Sequence, residues 1–402
     1  MATPWLHLVG IHPAGLPALT AAARQALDSA SIVFGSPRHL ALAQVGDRGR
    51  VWPVPFDVAP VLAHRGQATV AVLASGDPFY HGAGASLARH LVRGEWRNHP
   101  QPSSFALMAG ELGWPQEGTH RLGLHARPFE LLTPLLAEGE RFLCLLRDAA
   151  AAPALADWLT QRGWGDSPMS VFSQLGGPTQ AVADGLAREL AHTLAPDSSP
   201  LPAPLAAAFE ARGGAGLSRT PGRPTAAFAH DGQITKSPVR AITLAALAPR
   251  ARECLWDLGA GSGSVAIEWG LAGGGPAVCV EQHPSRAAHI ADNARRYGVA
   301  LQVHQGLALD LLPTLAPAPQ AVFVGGGFDA ALFDALRQRL TTPWRLVVNA
   351  VALDTQALLM QLHRVHGGQL LQLQWSEAAP LGRLQAWQPA RAGLQWSWAC
   401  TD

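Results

Sequence analysis

Cys254–Trp269 reads CLWDLGAGSGSVAIEW. A short apolar run ends in Asp257, three glycines follow at alternate positions, and a helix-like pattern then begins. A strand, a glycine turn and a helix start together form the standard cradle for a nucleotide-like cofactor, because glycine lets the backbone approach the ligand closely. The dinucleotide fingerprint is G-x-G-x-x-G. Here Gly259, Ala260, Gly261, Ser262 and Gly263 spell G-x-G-x-G, with the third glycine one residue early for that pattern. Asp257 just before the turn suits a ligand amino group and would repel a pyrophosphate. Glu281, at the end of the next strand-like run AVCVEQ, is placed to accept from ribose hydroxyls.

Outward from this stretch, CLWDL, AVCVEQ, LQVHQG, AVFVGG, RLVVNAV, LLQLQW and LQWSWAC read as seven strands. Helical patterns separate the first five, and the last two are expected to form a closing hairpin. The front half also alternates strand-like runs (LHLVGI, ATVAVLAS, RFLCLLRD) with helix-like ones, so a second α/β domain is expected there. Between them, residues 196–225 are dense in Pro, Gly, Ser and Ala and read as a linker. The predicted organisation is therefore 1–195, linker, and 226–402.

Composition bounds the function. The 402 residues carry a formal net charge of +1 and no basic run, which argues against nucleic acid as a partner. No apolar stretch is long enough to span a membrane, and the first residues lack a signal-peptide pattern, so a cytoplasmic protein is expected. Cys144, Cys254, Cys279 and Cys400 form no CxxC pair and read as small apolar residues of a reducing compartment. His363 and His366 share a helix face, but no cysteine or carboxylate cluster accompanies them, so no metal is expected. Lys236 is the sole lysine, and tyrosine and asparagine are nearly absent (Tyr80, Tyr297, Asn98, Asn293, Asn349). The survivors of such depleted types are weak pointers to function.

With the acid–loop–acid set in place, the back half resembles the class I S-adenosylmethionine-dependent methyltransferases. FAHDGQITKSPVRAITLAAL before the loop, with GLALDLLP and AVFVGGG after it, sharpens this to the decarboxylating C5,15-methyltransferase family that acts on precorrin-6Y in corrin-ring synthesis. VLASGDPFYHGAGASLARHL in the front half resembles the S-G-D-P loop of the tetrapyrrole methylases, a second methyltransferase fold. The implied fold class is α/β. A two-lobed tetrapyrrole-methylase fold would precede a Rossmann-like class I methyltransferase with a seven-stranded, mostly parallel sheet.

The resemblance implies two S-adenosylmethionine sites. The back one would use Thr235, Asp257, the Gly259–Gly263 loop, Glu281, Gly306 and Ala308. The front one would use Gly10, Ser75, Gly76, Asp77, Tyr80, His81, Gly82, Ser103 and Ser104. It also implies C5 methylation in front, and C15 methylation with loss of CO2 from an acetate side chain behind, giving precorrin-8X in cobalamin biosynthesis. Lys236, His230 and Asp231 are candidates for assisting the decarboxylation, and Arg240 for holding substrate carboxylates. A homo-oligomer, in its fullest form a tetramer through the C-terminal domain, is implied as well.

The chain departs from the family at several positions. Gly306-Leu307-Ala308-Leu309 replaces G-D-A-P, Pro238 stands where an acid is usual, and His12 and Ala14 replace small residues of a glycine loop. Ser173, Gln174, Gln180 and Ala126 also differ from the usual types. Two alternatives stay open: a single-site small-molecule methyltransferase with a degenerate front domain, and a non-catalytic tetrapyrrole-binding protein.

Overall fold

The computed structural model describes residues 4–194 and 201–400. It divides into two compact units at residue 215, with residues 130–135 grouped with the second unit.

The first unit holds two sheets. β1 (Leu6–Ile11), β2 (Ile32–Gly35), β3 (Gly49–Val51), β4 (Val70–Ser75) and β5 (Trp96–His99) form a wholly parallel sheet in the order β3-β2-β4-β1-β5. Its central strands are apolar on both faces, as a sheet covered on both sides requires: Leu6, Leu8, Val9, Val70, Ala71 and Val72 are all fully buried. The second sheet comprises β6 (Thr119–Gly123), β7 (Arg141–Leu145), β8 (Pro168–Ser173), β9 (Ala181–Leu186) and β10 (Leu205–Glu210), in the order β6-β7-β10-β8-β9.

β10 corrects the linker reading of 196–225. Leu205–Glu210 pairs antiparallel with both β7 and β8 and is buried over five of its six residues. The segment reads as a linker because Leu-Ala-Ala-Ala-Phe is poor in β-branched residues, is preceded by Pro202 and Pro204 and is followed by a glycine-rich run. Ala206, Ala207 and Ala208 are all buried, so both faces of the strand are covered. The stretch 196–200 lies outside the described residues.

The second unit is built on seven strands: β11 (Leu255–Leu258), β12 (Ala277–Glu281), β13 (Leu301–Gln305), β14 (Ala321–Val324), β15 (Trp344–Ala350), β16 (Gln369–Leu373) and, after a separate antiparallel hairpin of β17 (Ser376–Leu381) and β18 (Leu384–Pro389), β19 (Gly393–Cys400). Their order is β13-β12-β11-β14-β15-β19-β16. The first five run parallel, whereas β19 pairs antiparallel with both β15 and β16, so the sheet is mixed. The last two predicted strands are neighbours but not a simple hairpin, since β17 and β18 intervene. The direction of strand order reverses between β11 and β14, which opens a ligand crevice beyond their carboxyl ends. The opening stretch lies there.

Candidate functional site

In the second unit, Gly259, Gly261 and Gly263 all have left-handed φ values, of 66°, 58° and 72°. Side chains are excluded for a second reason at two of them. A Cβ on Gly259 would lie 2.5 Å from the Gly326 carbonyl in the loop after β14, and one on Gly263 would lie 2.8 Å from Ile290. The two strand-end loops are thus in contact at the switch point. The helix Ser264–Leu271 starts directly behind, so its amides face the loop.

Glu281, nearly buried, accepts from the Gly261 amide (2.8 Å) through one oxygen and from the His283 amide (2.9 Å) through the other. A carboxylate has about four lone-pair sites, so hydroxyl donors can still be accepted. Asp257 is fully buried behind the loop, and one oxygen accepts from the Ala266 amide (3.2 Å) in the helix's first turn. The other has no partner. Burial pushes its carboxyl up to about 7; the Ala266 amide opposes the rise and nearby Glu281 adds to it. Through the oxygen bonded to the Ala266 amide, Asp257 braces the loop against the helix start. Ser262 is buried, Ala260 half-buried, and Ala308 opens the short helix Ala308–Leu311 after Gly306 and β13.

The FAHDGQITK segment lies against this loop: the Gln233 carbonyl is 3.4 Å from where a Gly261 Cβ would stand. Asn293 fastens it, donating to the Ala229 (2.9 Å) and Ser262 (3.0 Å) carbonyls and accepting from the Ala229 amide (2.8 Å). Tyr297 donates to the Ala227 carbonyl at 2.9 Å. Both belong to residue types scarce in this chain, the one sequence signal that pointed to them.

Arg240 is not a substrate arginine. It has no exposure, lies 3.0 Å from the equally buried Glu268, and donates to the carbonyls of Thr235 and Arg223. Its helix, Ser237–Leu247, turns this residue inward with Thr243, Leu244 and Leu247. Glu268, which sequence reasoning missed, also accepts from the Gly222 (2.7 Å) and Arg223 (2.9 Å) amides. The buried pair therefore anchors both chain segments that lead into Thr235.

Asp231 is held by Arg286 at 2.7 Å, which keeps its carboxyl below the ordinary range, and it accepts from the Gln233 amide. This ion pair and the turn bond fix the Asp231 carboxylate at the surface of the segment. His230 accepts from the Gly232 amide through Nδ1 (2.9 Å), and Lys236 is exposed at the start of its helix.

In the first unit the end of β1 and the loop after β4 touch even more closely. A Cβ on Gly10 would stand 1.8 Å from the Gly76 carbonyl, and one on Gly76 2.7 Å from the Ser103 Cα. Asp77 shapes the turn by accepting from the Phe79 amide (2.9 Å), and Ser103 caps the helix Ser104–Leu112. Ser75, Tyr80, His81, Gly82, Ser103 and Ser104 come together around a cavity of about 270 Å³. His39, Trp52 and His125 line it too, and sequence reasoning had not selected them. His12 is absent from the cavity wall. Its Nδ1 accepts from the Ala14 amide (3.1 Å) and its ring lies near Gly176, consistent with a tolerated loop substitution. The substituted Gln180 likewise serves its own loop, accepting from the Gly176 amide at 2.6 Å.

Residues 5–191 match the family described as tetrapyrrole (corrin/porphyrin) methylases, and residues 226–400 match the precorrin methyltransferase domain. A Sinorhizobium relative, precorrin-6Y C(5,15)-methyltransferase [decarboxylating], is 40% identical over 98% of this chain and 96% of its own length. A Mycobacterium tuberculosis relative of the same name is 36% identical over 97% of this chain and 98% of its own. Among solved structures, the C-terminal domain of the Rhodobacter capsulatus precorrin-6Y C5,15-methyltransferase is 52% identical. The likeness covers 46% of this chain and all of that one, with a TM-score of 0.44.

Proposed function

The chain belongs to the precorrin-6Y C(5,15)-methyltransferase (decarboxylating) family, and from that premise we propose that its two units are separate S-adenosylmethionine sites dividing the family's reaction. It is a methyltransferase of cobalamin biosynthesis that methylates a precorrin and decarboxylates it. In this reading the first unit methylates C5. The second methylates C15 and releases the acetate carboxyl as CO2, giving precorrin-8X.

The observation that carries the reading is the pair of glycine cradles. Each lies at the carboxyl ends of adjacent parallel strands, and in each an added Cβ would meet a facing carbonyl, at 2.5 Å for Gly259 and 1.8 Å for Gly10. Both bring the backbones of neighbouring strand ends together at the place where ligands reach the backbone in such sheets. Bound in them, the cofactor supplies an electrophilic methyl group. The chain's own task is alignment, which alone can be worth effective molarities of about 10⁵–10⁸ M. Glu281 and the Gly259–Gly263 amides would hold it in the second unit, with Thr235 fixed nearby by Arg240. The turn from Ser75 to Gly82 would hold it in the first. Exposed Leu307 and Leu309 after β13, and Val351 and Leu353 after β15, give the second unit an apolar rim at the same strand ends, suited to a flat macrocycle. With Asp231 bound to Arg286, Lys236 and His230 are the groups left to assist the carboxyl's departure.

The test uses two variants of the full chain, Glu281→Ala and Gly10→Val, with precorrin-6Y and labelled cofactor, and mass spectrometry of the product. Each substitution should depress its own methylation, and CO2 release should follow C15. A single-site enzyme with a degenerate front domain requires Gly10→Val to leave both methylations untouched, and that outcome would refute the division.

A further inference from the structure

The segment Gly35-Ser36-Pro37-Arg38-His39 attracts no notice as sequence, yet it builds a polar cluster at the end of β4. Ser36 caps the helix Pro37–Ala43 and accepts from the His39 amide at 3.2 Å. Gly35 has no side chain to hold that turn off β4: its Cβ would lie 3.3 Å from the Cβ atoms of both His39 and Leu73. His39 therefore reaches along β4 to Ser75, with Nε2 2.8 Å from the hydroxyl oxygen. Arg38 donates to the same oxygen at 3.1 Å and lies 3.3 Å from His39 Nε2. A guanidinium only donates, so Nε2 must present its lone pair and the Ser75 hydroxyl donates to it. Burial, reinforced by Arg38, pushes the His39 pKa down to about 4, in keeping with a neutral ring.

This arrangement leaves Arg38 without a counter-ion. It is half-buried, and among the described residues it pairs with no carboxylate. Arg65 and Arg141 of the same unit, by contrast, meet Glu95 and Glu210 at 2.5 and 2.8 Å. The adjoining cavity, which His39 and Ser75 line, has no Asp or Glu in its wall. On its other side Arg38 borders a depression formed by Ala14–Pro17, in the loop after β1. A guanidinium drawn partly out of water, with unused N–H donors, between the two strand-end loops of a cofactor cleft, is the geometry of an anion receptor.

We propose that Arg38, steadied by His39 and Ser75, binds a carboxylate at the edge of the front cavity: the amino-acid carboxylate of the methyl donor or a carboxylate arm of the tetrapyrrole. The proposal rests on reading the first unit as the C5 methyltransferase. The full chain is compared with Arg38→Gln, Arg38→Lys and Ser75→Ala. Calorimetry gives the dissociation constant of S-adenosylhomocysteine at the front site, separated from the other site by comparison with Glu281→Ala. C5 methylation gives KM for precorrin-6Y. Arg38→Gln should raise one of these constants about tenfold or more, the scale of one lost charge-assisted hydrogen bond. Lysine should restore part of the loss, and Ser75→Ala should show a smaller rise in the same constant. A rise in the cofactor constant identifies the donor's carboxylate; a rise in KM at unchanged kcat identifies the substrate's. Both constants within twofold of wild type in Arg38→Gln and Ser75→Ala would overturn the proposal. A wild-type chain that forms no C5-methylated product would refute the reading of the first unit instead. Direct binding of precorrin-6Y to wild type and Arg38→Gln then decides the site, and equal dissociation constants would overturn it.

Discussion

Glu281 and Asp257 are both nearly sealed acids beside one loop, and their surroundings give them different work. Glu281 satisfies two backbone amides, so Glu281→Ala removes an acceptor from the Gly261 turn as well as a partner for ribose. Cofactor affinity at the second-unit site should fall about tenfold or more, with the first-unit site unchanged. Calorimetry on the full chain checks this, and two unaltered sites would remove the ribose assignment. Asp257 is a stability matter. Its carboxyl titrates near 7 in the fold against an ordinary 3.8. Between roughly pH 4 and 7 the native chain holds a proton that the unfolded chain has released, so this group lowers stability as pH rises through that window. Asp257→Asn keeps an acceptor for the Ala266 amide and does not titrate. The melting temperature of the variant relative to wild type should therefore rise between pH 4.5 and pH 8, as scanning calorimetry would show. The same offset at both pH values would show that Asp257 does not titrate in this range.

At the scale of elements, local backbone demands were legible and tertiary partnerships were not. The Gly259–Gly263 turn announces itself because left-handed φ values must be written into the chain as glycine. Ser75, Tyr80 and Ser103 were reachable through resemblance to a known loop. In the Arg38–His39–Ser75 cluster His39 and Ser75 lie 36 residues apart, and the Arg240–Glu268 pair joins two helices, so neither leaves a periodic or spacing signal. Arg240 was misassigned for that reason: a charge on a helix next to a site motif looks like a ligand contact until its buried partner is seen. β10 was missed for a different reason, low strand propensity offset by pairing on both edges. It supplies a sharp test. Ala207 is fully buried in the middle of that strand. Ala207→Asp should destabilise the first unit by about 3 kcal/mol or more, because an unpaired charge would enter the buried centre of the sheet. Urea unfolding monitored in the full chain measures it. A cost within about 0.5 kcal/mol, usual for an exposed position, would return the segment to the status of linker.

For the whole molecule, the hairpin β17–β18 is the feature that a single chain leaves unexplained. Nearly all its residues are exposed, among them Leu381 at 64%, Leu384 at 74% and Trp387 at 76%. A two-stranded hairpin is marginal in water by itself, and an apolar one with open edges invites pairing with another chain. A formal net charge of +1 adds little repulsion between copies. For the homo-oligomer that the family resemblance implies, we propose this hairpin of the second unit as the contact. The double variant Leu384→Ser/Trp387→Ser should then lower the assembly mass in sedimentation equilibrium while the second-unit cofactor site keeps its affinity, because neither residue belongs to the strand-end loops that build that site. The two readouts separate the cases. Lower mass with intact binding places the interface on the hairpin. Unchanged mass in the variant, or a wild-type chain that already sediments as a single copy, excludes the hairpin as the assembly contact.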